Sequence, residues 1–471
     1  MIRCLLGVVF SLYVVYLPAQ EVLPTLLTEQ EFLYLVAEHH PLAVRAELQR
    51  ARAEATLQMA RGGFDPKLYG DIDQKYFKGT RYYSVMEGGV EVPTWFGVKL
   101  NAAYERNDGV YLSPELTVPD QGLYAAGLSI TLGRGLLFDE RRAELRRAKI
   151  YREATEAERL VQLNELLYDA SKTYWNWAGT QAAVLIYEEA VELARTRYEA
   201  TIAGARLGDR PAIDTLEAQI QLQDRQLSLE TARLDLANAA ASLNAFLWID
   251  GVIPVEVTPA TLPPPPELVE VAALPPPDLA LENPELLRTR LKLQELEVDE
   301  RLQREQLKPT IDLKYNALLS GGANEPLQDI NSNNYKWGVR VAQPLLLRKE
   351  RGKLALTRIK QSETQFELTD KTALLRMKVV QAQNEITATA NQFAIATDNA
   401  SDYARLLEGE RELFRAGESS LFLVNSREVK YIDARVKVVE LLVKHRKARQ
   451  MRAFAQGRIL FPPVDAVLPT E

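Results

Sequence analysis

The sequence predicts a mixed, mainly α fold in which long antiparallel coiled-coil helices carry short strand clusters, organised as two structural repeats. Three observations predict it. First, HHPLAVRAELQRARAEATLQMARGGFDPKL at 39–68 aligns without a gap on ENPELLRTRLKLQELEVDERLQREQLKPTI at 282–311. Pro41 falls on Pro284, Arg45 on Arg288, Leu48 on Leu291, Glu54 on Glu297 and Pro66 on Pro309. Second, no proline lies between Pro119 and Pro211, or between Pro344 and Pro462. Apolar residues there step by three and four, as at Leu160, Leu163, Leu167, Ala170, Tyr174 and Trp177, the rhythm of a coiled-coil seam. Third, the intervening segments alternate polar and apolar residues over strand-like lengths.

MIRCLLGVVFSLYVVYLPAQ reads as a secretory signal over 1–19: basic Arg3, an apolar run, then a cut after Ala19. The only cysteine, Cys4, leaves with it, so no disulfide and no Cys metal site are expected. No later run is long and apolar enough for a transmembrane helix. The formal charge of −7 disfavours nucleic acid as a partner. Three histidines, two of them the neighbours His39 and His40, make a poor metal set, because neighbours on a helix point about 100° apart.

The first repeat spans 28–250. Proline suits a first helical turn and is excluded from the middle, so a helix opens at Pro41 and closes before Pro66. Strands follow, then a helix from about Asp139 to Ala203, a turn at AGARLGDRPAID (203–214), and a helix over 211–246. The Pro-rich segment 251–282 reads as an extended spacer strapped along the helices, with a proline-ligand role as the alternative. The second repeat, 283–456, has a helix, two strands, a helix from about Lys349 to Ala416, a turn at RAGESSLFLVN (415–425) and a last helix over 419–455. Residues 457–471 read as a flexible tail. Glycine after a last helical turn is a stop signal, and Gly208 and Gly417 occupy equivalent places. Trp175 and Trp177 are expected to pack rather than hold a ligand. A helix of about 65 residues is about 98 Å long, whereas a compact chain of this size has a radius of gyration near 22 Å. The protein is therefore elongated, with short helices stacked end to end along the long ones.

Ile311, Leu313, Tyr315, Ala317 and Leu319 face opposite Thr310, Asp312, Lys314 and Asn316. Tyr335, Trp337, Val339 and Val341 oppose Lys336 and Arg340; Tyr124, Leu128, Ile130 and Leu132, and Val98, Leu100, Ala102 and Tyr104, behave alike. A soluble sheet alternates in the same way. Export, the lack of a spanning helix, and too few strands to close alone favour a membrane barrel built from several copies. Basic residues crowd the start of each long helix: Arg141, Arg142 and Arg146 in the first, Arg348, Lys349 and Arg351 in the second. The macrodipole disfavours cations there; anionic headgroups of outer-membrane lipid would compensate, and ion pairs with Glu140, Glu144 and Glu350 are the alternative.

The ordered set of features resembles the TolC family of outer-membrane efflux proteins over about 28–456. Its carriers are the two-fold repeat, the helix–Pro–strand junctions at Pro66 and Pro309, QPLLLRKERGKLAL at 343–356, and the tip segments LGDRPAIDTLEAQ and AGESSLFLVNSRE. The resemblance implies a homotrimer: a trimeric transmembrane β-barrel continued by an α-barrel of coiled helices across the periplasm. It implies a passive duct with no catalytic residue, cofactor or metal, to whose tips a periplasmic adaptor and an inner-membrane pump dock. By the same carry-over, Arg206, Leu207 and Gly208 with Ala416, Gly417 and Glu418 contact the adaptor, and Asp214 matches an acidic gate position. Two gate aspartates of some members are replaced here by Leu423 and Ser426, which leaves Asn425, Glu418 or Glu428 to line the entrance. Residues 79–121 depart from the family by an extra hairpin, 82–92 and 98–106, with an extracellular loop at 107–121; if it joins the barrel, each copy gives six strands instead of four. Alternatives are a periplasmic coiled-coil or adhesin stalk without a pore, and a duct of the same fold for type I protein secretion or metal-ion export.

Overall fold

The structure, a computed structural model, describes residues 24–208, 211–265, 271, 274–275, 282–320 and 331–458. The expected signal peptide, most of the tail and much of the Pro-rich spacer lie outside the described residues.

Helix α1 (Glu29–His39) is opened by a capping box: Glu31 N–H donates to Thr28 Oγ1 at 3.2 Å, and Thr28 N–H donates to Glu31 Oε2 at 2.9 Å. The two repeat helices, α2 (Pro41–Gly62) and α5 (Pro284–Glu305), both begin with a cap followed by proline. His40 Nδ1 accepts from Leu42 N–H at 3.1 Å; at the equivalent place Asn283 Oδ1 accepts from Glu285 N–H at 2.9 Å. The long helices are α3 (Glu140–Leu207) and α6 (Arg348–Arg415), 68 residues each, so each reaches about 100 Å. Two returning helices, α4 (Ala212–Asn244) and α7 (Leu421–Gln456), pack antiparallel on α3 and α6. Within each repeat the two shorter helices, α2 and α4 or α5 and α7, lie along one long helix, and α3 also packs on α5 and α7.

The principal core sits at mid-length of this bundle. Leu27, Phe32, Val36, Leu167, Ala170, Tyr174, Trp177, Leu243 and Leu247 are all buried together, and Tyr174 Oη donates to Leu27 O at 2.8 Å. Trp175 is buried there as well and stacks edge-on with Tyr174. A small hairpin, β5 (Trp248–Ile249) with β6 (Ile253–Pro254), closes one side of it. The described part of the spacer runs along the helices: Leu262 bonds to the 25–27 segment, Gln383 donates to Leu274 O at 3.1 Å, and Arg452 donates to Pro275 O at 3.0 Å.

Two histidines are buried in this region, His40 beside Phe246 and Trp248, and His445 against Thr389. Burial pushes both imidazole pKa values below the usual range; for His445 the charges of Arg449 and Arg446 add to the effect. A depressed folded-state pKa means that the stability these groups lend is present above about pH 6.5 and is lost as the pH falls through it. Protonation of His40 also removes the acceptor that caps α2. The melting temperature is expected to fall by a few degrees between pH 7 and 5.5. H40N/H445Q, which keeps a capping acceptor at 40 as Asn283 does in the second repeat, should flatten that fall in a pH series of thermal scans.

Six strands form one antiparallel sheet: β1 (Lys67–Phe77), β2 (Thr80–Pro93), β3 (Val98–Asp108), β4 (Leu123–Gly133), β7 (Thr310–Ser320) and β8 (Tyr335–Ala342), in that order. The segment 79–121 is therefore part of the same sheet, supplying β2 and β3. The 109–122 loop beyond β3 contains a short 3-10 turn, Pro114–Leu116. The repeats join where β4 pairs with β7, from Leu123 opposite Ser320 to Gly133 opposite Thr310.

Candidate functional site

The register places one apolar face across all six strands. Leu68 and Ile72 of β1 lie opposite Val90 and Met86 of β2. Val92 lies opposite Leu100, which lies opposite Leu128, which lies opposite Tyr315, which lies opposite Trp337. Trp337, Val341, Ile72 and Leu68 are 65, 66, 68 and 87 % exposed, an arrangement suited to lipid and costly in water. The opposite face is polar and of mixed charge: Asp71, Glu87, Lys99, Asn101, Glu105, Asp312, Lys314, Asn316, Lys336 and Arg340. Most strands have the 9–11 residues a tilted crossing needs. Tyrosines pair near the end remote from the helices, Tyr82 with Tyr111, Tyr104 with Tyr124 and Tyr315 with Tyr335. Phe64 stacks on Trp95 at the helical end. Two aromatic levels of this kind mark the interfaces of a membrane strand cluster.

The basic belt at the helical end divides in two. Arg142 turns back into the chain: its guanidinium donates to Asp139 Oδ1 at 3.0 Å and to the carbonyls of Leu137, Leu136 and Gly135. It organises the β4–α3 turn. Arg141 is half-buried over Phe64, with Asp139 at 3.5 Å. Arg146, Arg348, Lys349 and Arg351 are exposed. Beside them Leu345 and Leu346 are bared, as are Trp95, Phe96 and Leu137. Further along the bundle the charges pair instead: Arg159 and Arg50 hold the Glu156 carboxyl down at about 2.

At the other end, Gly208 caps α3 with φ 81°. The α6–α7 turn is closed by Gly417, φ 80°, with Glu418 N–H donating to Leu413 O at 2.9 Å and Gly417 N–H to Phe414 O at 3.2 Å. This paired bond pattern satisfies the last carbonyls of a helix and needs a left-handed residue. Arg206, Leu207, Gly208, Ala416, Gly417 and Glu418 are all exposed at the tips. Just above them four helices are clasped together. Glu428 of α7, only 2 % exposed, takes Arg197 of α3 by a short ion pair and Arg411 of α6 at 3.5 Å. Asn425 accepts from Arg197 at 2.9 Å and donates to Glu217 of α4 at 3.1 Å. A second pairing, Ser419 and Arg427 on Glu410, staples the α6–α7 turn. Of the sequence-expected gate residues, Asn425 lies in the clasp, while Leu423 and Ser426 lie outside it and Asp214, half-buried in the first turn of α4, makes no ion pair among the described residues. Arg197, Arg411 and Glu217 escaped sequence reading because nothing in their local spacing reports a partner on another helix.

Among the described residues no three His, Cys, Asp or Glu side chains come together as a metal set, and no helix is long and apolar enough to cross a membrane. A lipid-facing sheet continued by helices of about 100 Å and ending in a clasped tip defines one stave of a membrane channel. The chain belongs to the outer membrane efflux protein family, whose profile matches residues 91–247 and 276–450. It is thus an outer-membrane efflux channel protein that extends into the periplasm, and its family comprises ducts rather than enzymes. Among solved structures it is similar to the CmeC outer membrane channel of Campylobacter jejuni, with 14 % identity over 91 % of this chain and 85 % of that one, at a TM-score of 0.64. VceC of Vibrio cholerae matches with 12 % identity over 91 and 96 % of the two chains, at 0.62. The open state of MtrE from Neisseria gonorrhoeae matches with 13 % identity over 91 and 88 %, at 0.65. No curated protein matches at the sequence level.

Proposed function

We propose that three copies of this chain form a passive duct that carries substrates from an inner-membrane pump and a periplasmic adaptor to the exterior, opening at the helical tips. The observation that carries the reading is apolar surface that one copy leaves bare. Ile213, Ile220, Leu227 and Leu234 recur every seven residues along α4, and are 66, 47, 68 and 60 % exposed. A strict heptad seam of this kind is stable only against another helix. Among the described residues the β1 and β8 edges have no neighbour within the copy, and an open edge in hydrocarbon leaves backbone groups unsatisfied. Both needs are met when copies stand side by side around a pore.

In this reading Arg206, Leu207, Gly208, Ala416, Gly417 and Glu418 are the adaptor contact. Asp214, Asn425 and Glu428 control the aperture, with Leu423 and Ser426 at its rim. Arg146, Arg348, Lys349 and Arg351 rest on lipid headgroups. Closed tips correspond to an intact clasp, and opening separates helices that are packed in two discrete arrangements. Native mass measurement of the detergent-purified protein should give three copies, and L227D should shift the population towards monomer. The purified trimer should conduct in planar bilayers. A monomeric wild-type protein, or a trimer that never conducts even with its tips loosened, would count against the duct.

A further inference from the structure

We propose that the barrel closes through all six strands of each copy, with β8 of one copy hydrogen-bonded to β1 of the next. Three copies then make an eighteen-strand wall. The inference rests on the three-copy reading above and adds the closing seam and the pore width to it.

Four observations carry it. The β1–β2 hairpin is paired from Lys67 to Phe77, with one register shift between Lys75 and Tyr76, and the sheet continues through β2–β3. Its outward residues Leu68, Ile72, Met86 and Val90 extend the apolar face; were the hairpin folded off the barrel, that surface would stand in water. Direction also fits. β1 leaves α2 and β8 enters α6 at the same end of the sheet, so the two edges run oppositely and close as an antiparallel pair. Finally, the middle of each edge offers charges to the other on the polar face. β1 presents Asp71 and Asp73 there, between Lys67 and Lys75, and β8 presents Lys336 and Arg340. Asp71 and Arg340 make no ion pair among the described residues, and Lys336 reaches only Glu105, at 3.9 Å.

The width follows from geometry. At a strand spacing of about 4.8 Å and a tilt of about 40°, eighteen strands give a barrel about 36 Å across between backbones, against about 24 Å for twelve. Barrels of that size leave an aqueous channel rather than a packed interior. The exit is then no sieve, and the narrowest passage lies at the clasped tips.

Disulfide trapping tests the seam directly. In a C4S background, V341C is combined in turn with L68C, G70C or I72C, all on the outward face, which covers the neighbouring registers. As a second set, V341C is combined with V98C or L100C, which become its neighbours if β3, not β1, is the closing edge. After oxidation in membranes, at least one pair of the first set should convert most of the chain to cross-linked two- and three-copy species on a non-reducing gel, with little from the second set. Cross-linking in the second set alone overturns six-strand closure and leaves the trimer standing. Cross-linking in neither set, with a native mass of three copies, overturns it too. A native mass of one copy overturns the three-copy reading on which it depends.

Discussion

Replacing Glu428 with alanine should unlock the tip of every copy. The carboxylate is almost fully buried and faces two guanidinium groups, Arg197 and Arg411. Its removal leaves those cations with no counter-charge in a poorly solvated place. Breaking one partner out of a buried ion pair costs about 3–5 kcal/mol. The figure applies towards its lower end here, since Arg411 keeps some contact with water and with Glu408. Arg197 would also retain only the Asn425 oxygen, so the link from α3 through Asn425 to Glu217 on α4 would loosen with it. Two helix pairs, α7 with α3 and α7 with α6, lose their buried charge tie at one position, and the α7–α4 contact loosens with them. The expected result is a larger and more frequent open conductance in planar bilayers, with faster amide exchange over the last turns of α3 and the first turns of α7. E428Q keeps one acceptor and should fall between wild type and E428A. Wild-type conductance and exchange in E428A would remove the clasp from the gate.

G127V should abolish assembly of the membrane sheet. Gly127 lies in β4, and a Cβ there would come within 1.9 Å of the Tyr315 carbonyl and 2.5 Å of the Asn316 amide oxygen. The reason is visible in the strand order. Asn101 of β3 and Asn316 of β7 flank Gly127 at one level, and Asn101 Nδ2 donates to Asn316 Oδ1 at 2.9 Å across it. Only hydrogen fits beneath that bridge. An overpacked side chain in a core costs about 1–3 kcal/mol when its neighbours can shift; here the nearest atom is ladder backbone, so the cost is larger. Pairing of β4 with β7 is the sole sheet contact between the two repeats among the described residues. Its failure should leave the chain absent from the outer-membrane fraction, read by fractionation and by loss of the trimer mass. Normal insertion and a trimer of G127V would show that the β4–β7 ladder yields.

How much of this was legible beforehand varies with the range of the interaction. The paired helices, their proline starts at Pro41 and Pro284, their glycine stops at Gly208 and Gly417, and the lipid-suited alternation of the strands are written in local spacing. Each depends on a backbone or a face within a few residues, so composition and period suffice to read it. Helix α1 and the β5–β6 hairpin are short, and their patterns carry too few repeats to stand out. The turn of Arg142 back onto Gly135, Leu136 and Leu137 is not legible in sequence, because a run of arginines at a helix start looks alike whichever way its side chains turn.

Sequence by itself determined an elongated, duplicated protein of long coiled helices and membrane-type strands, because proline placement and side-chain period act over one or two turns. Tertiary structure alone decided which surfaces meet. The chain joins residues 181 positions apart when Thr131 donates to Asp312 at 2.6 Å, and 231 apart when Arg197 grips Glu428. It also separates Gly127 and Gly338, the last residues of YAAG (124–127) and YKWG (335–338): Gly127 lies beneath an amide bridge, whereas among the described residues of one copy nothing lies within 4 Å of a Cβ at Gly338. A central strand has neighbours on both sides and an edge strand on one, and no local pattern records that difference.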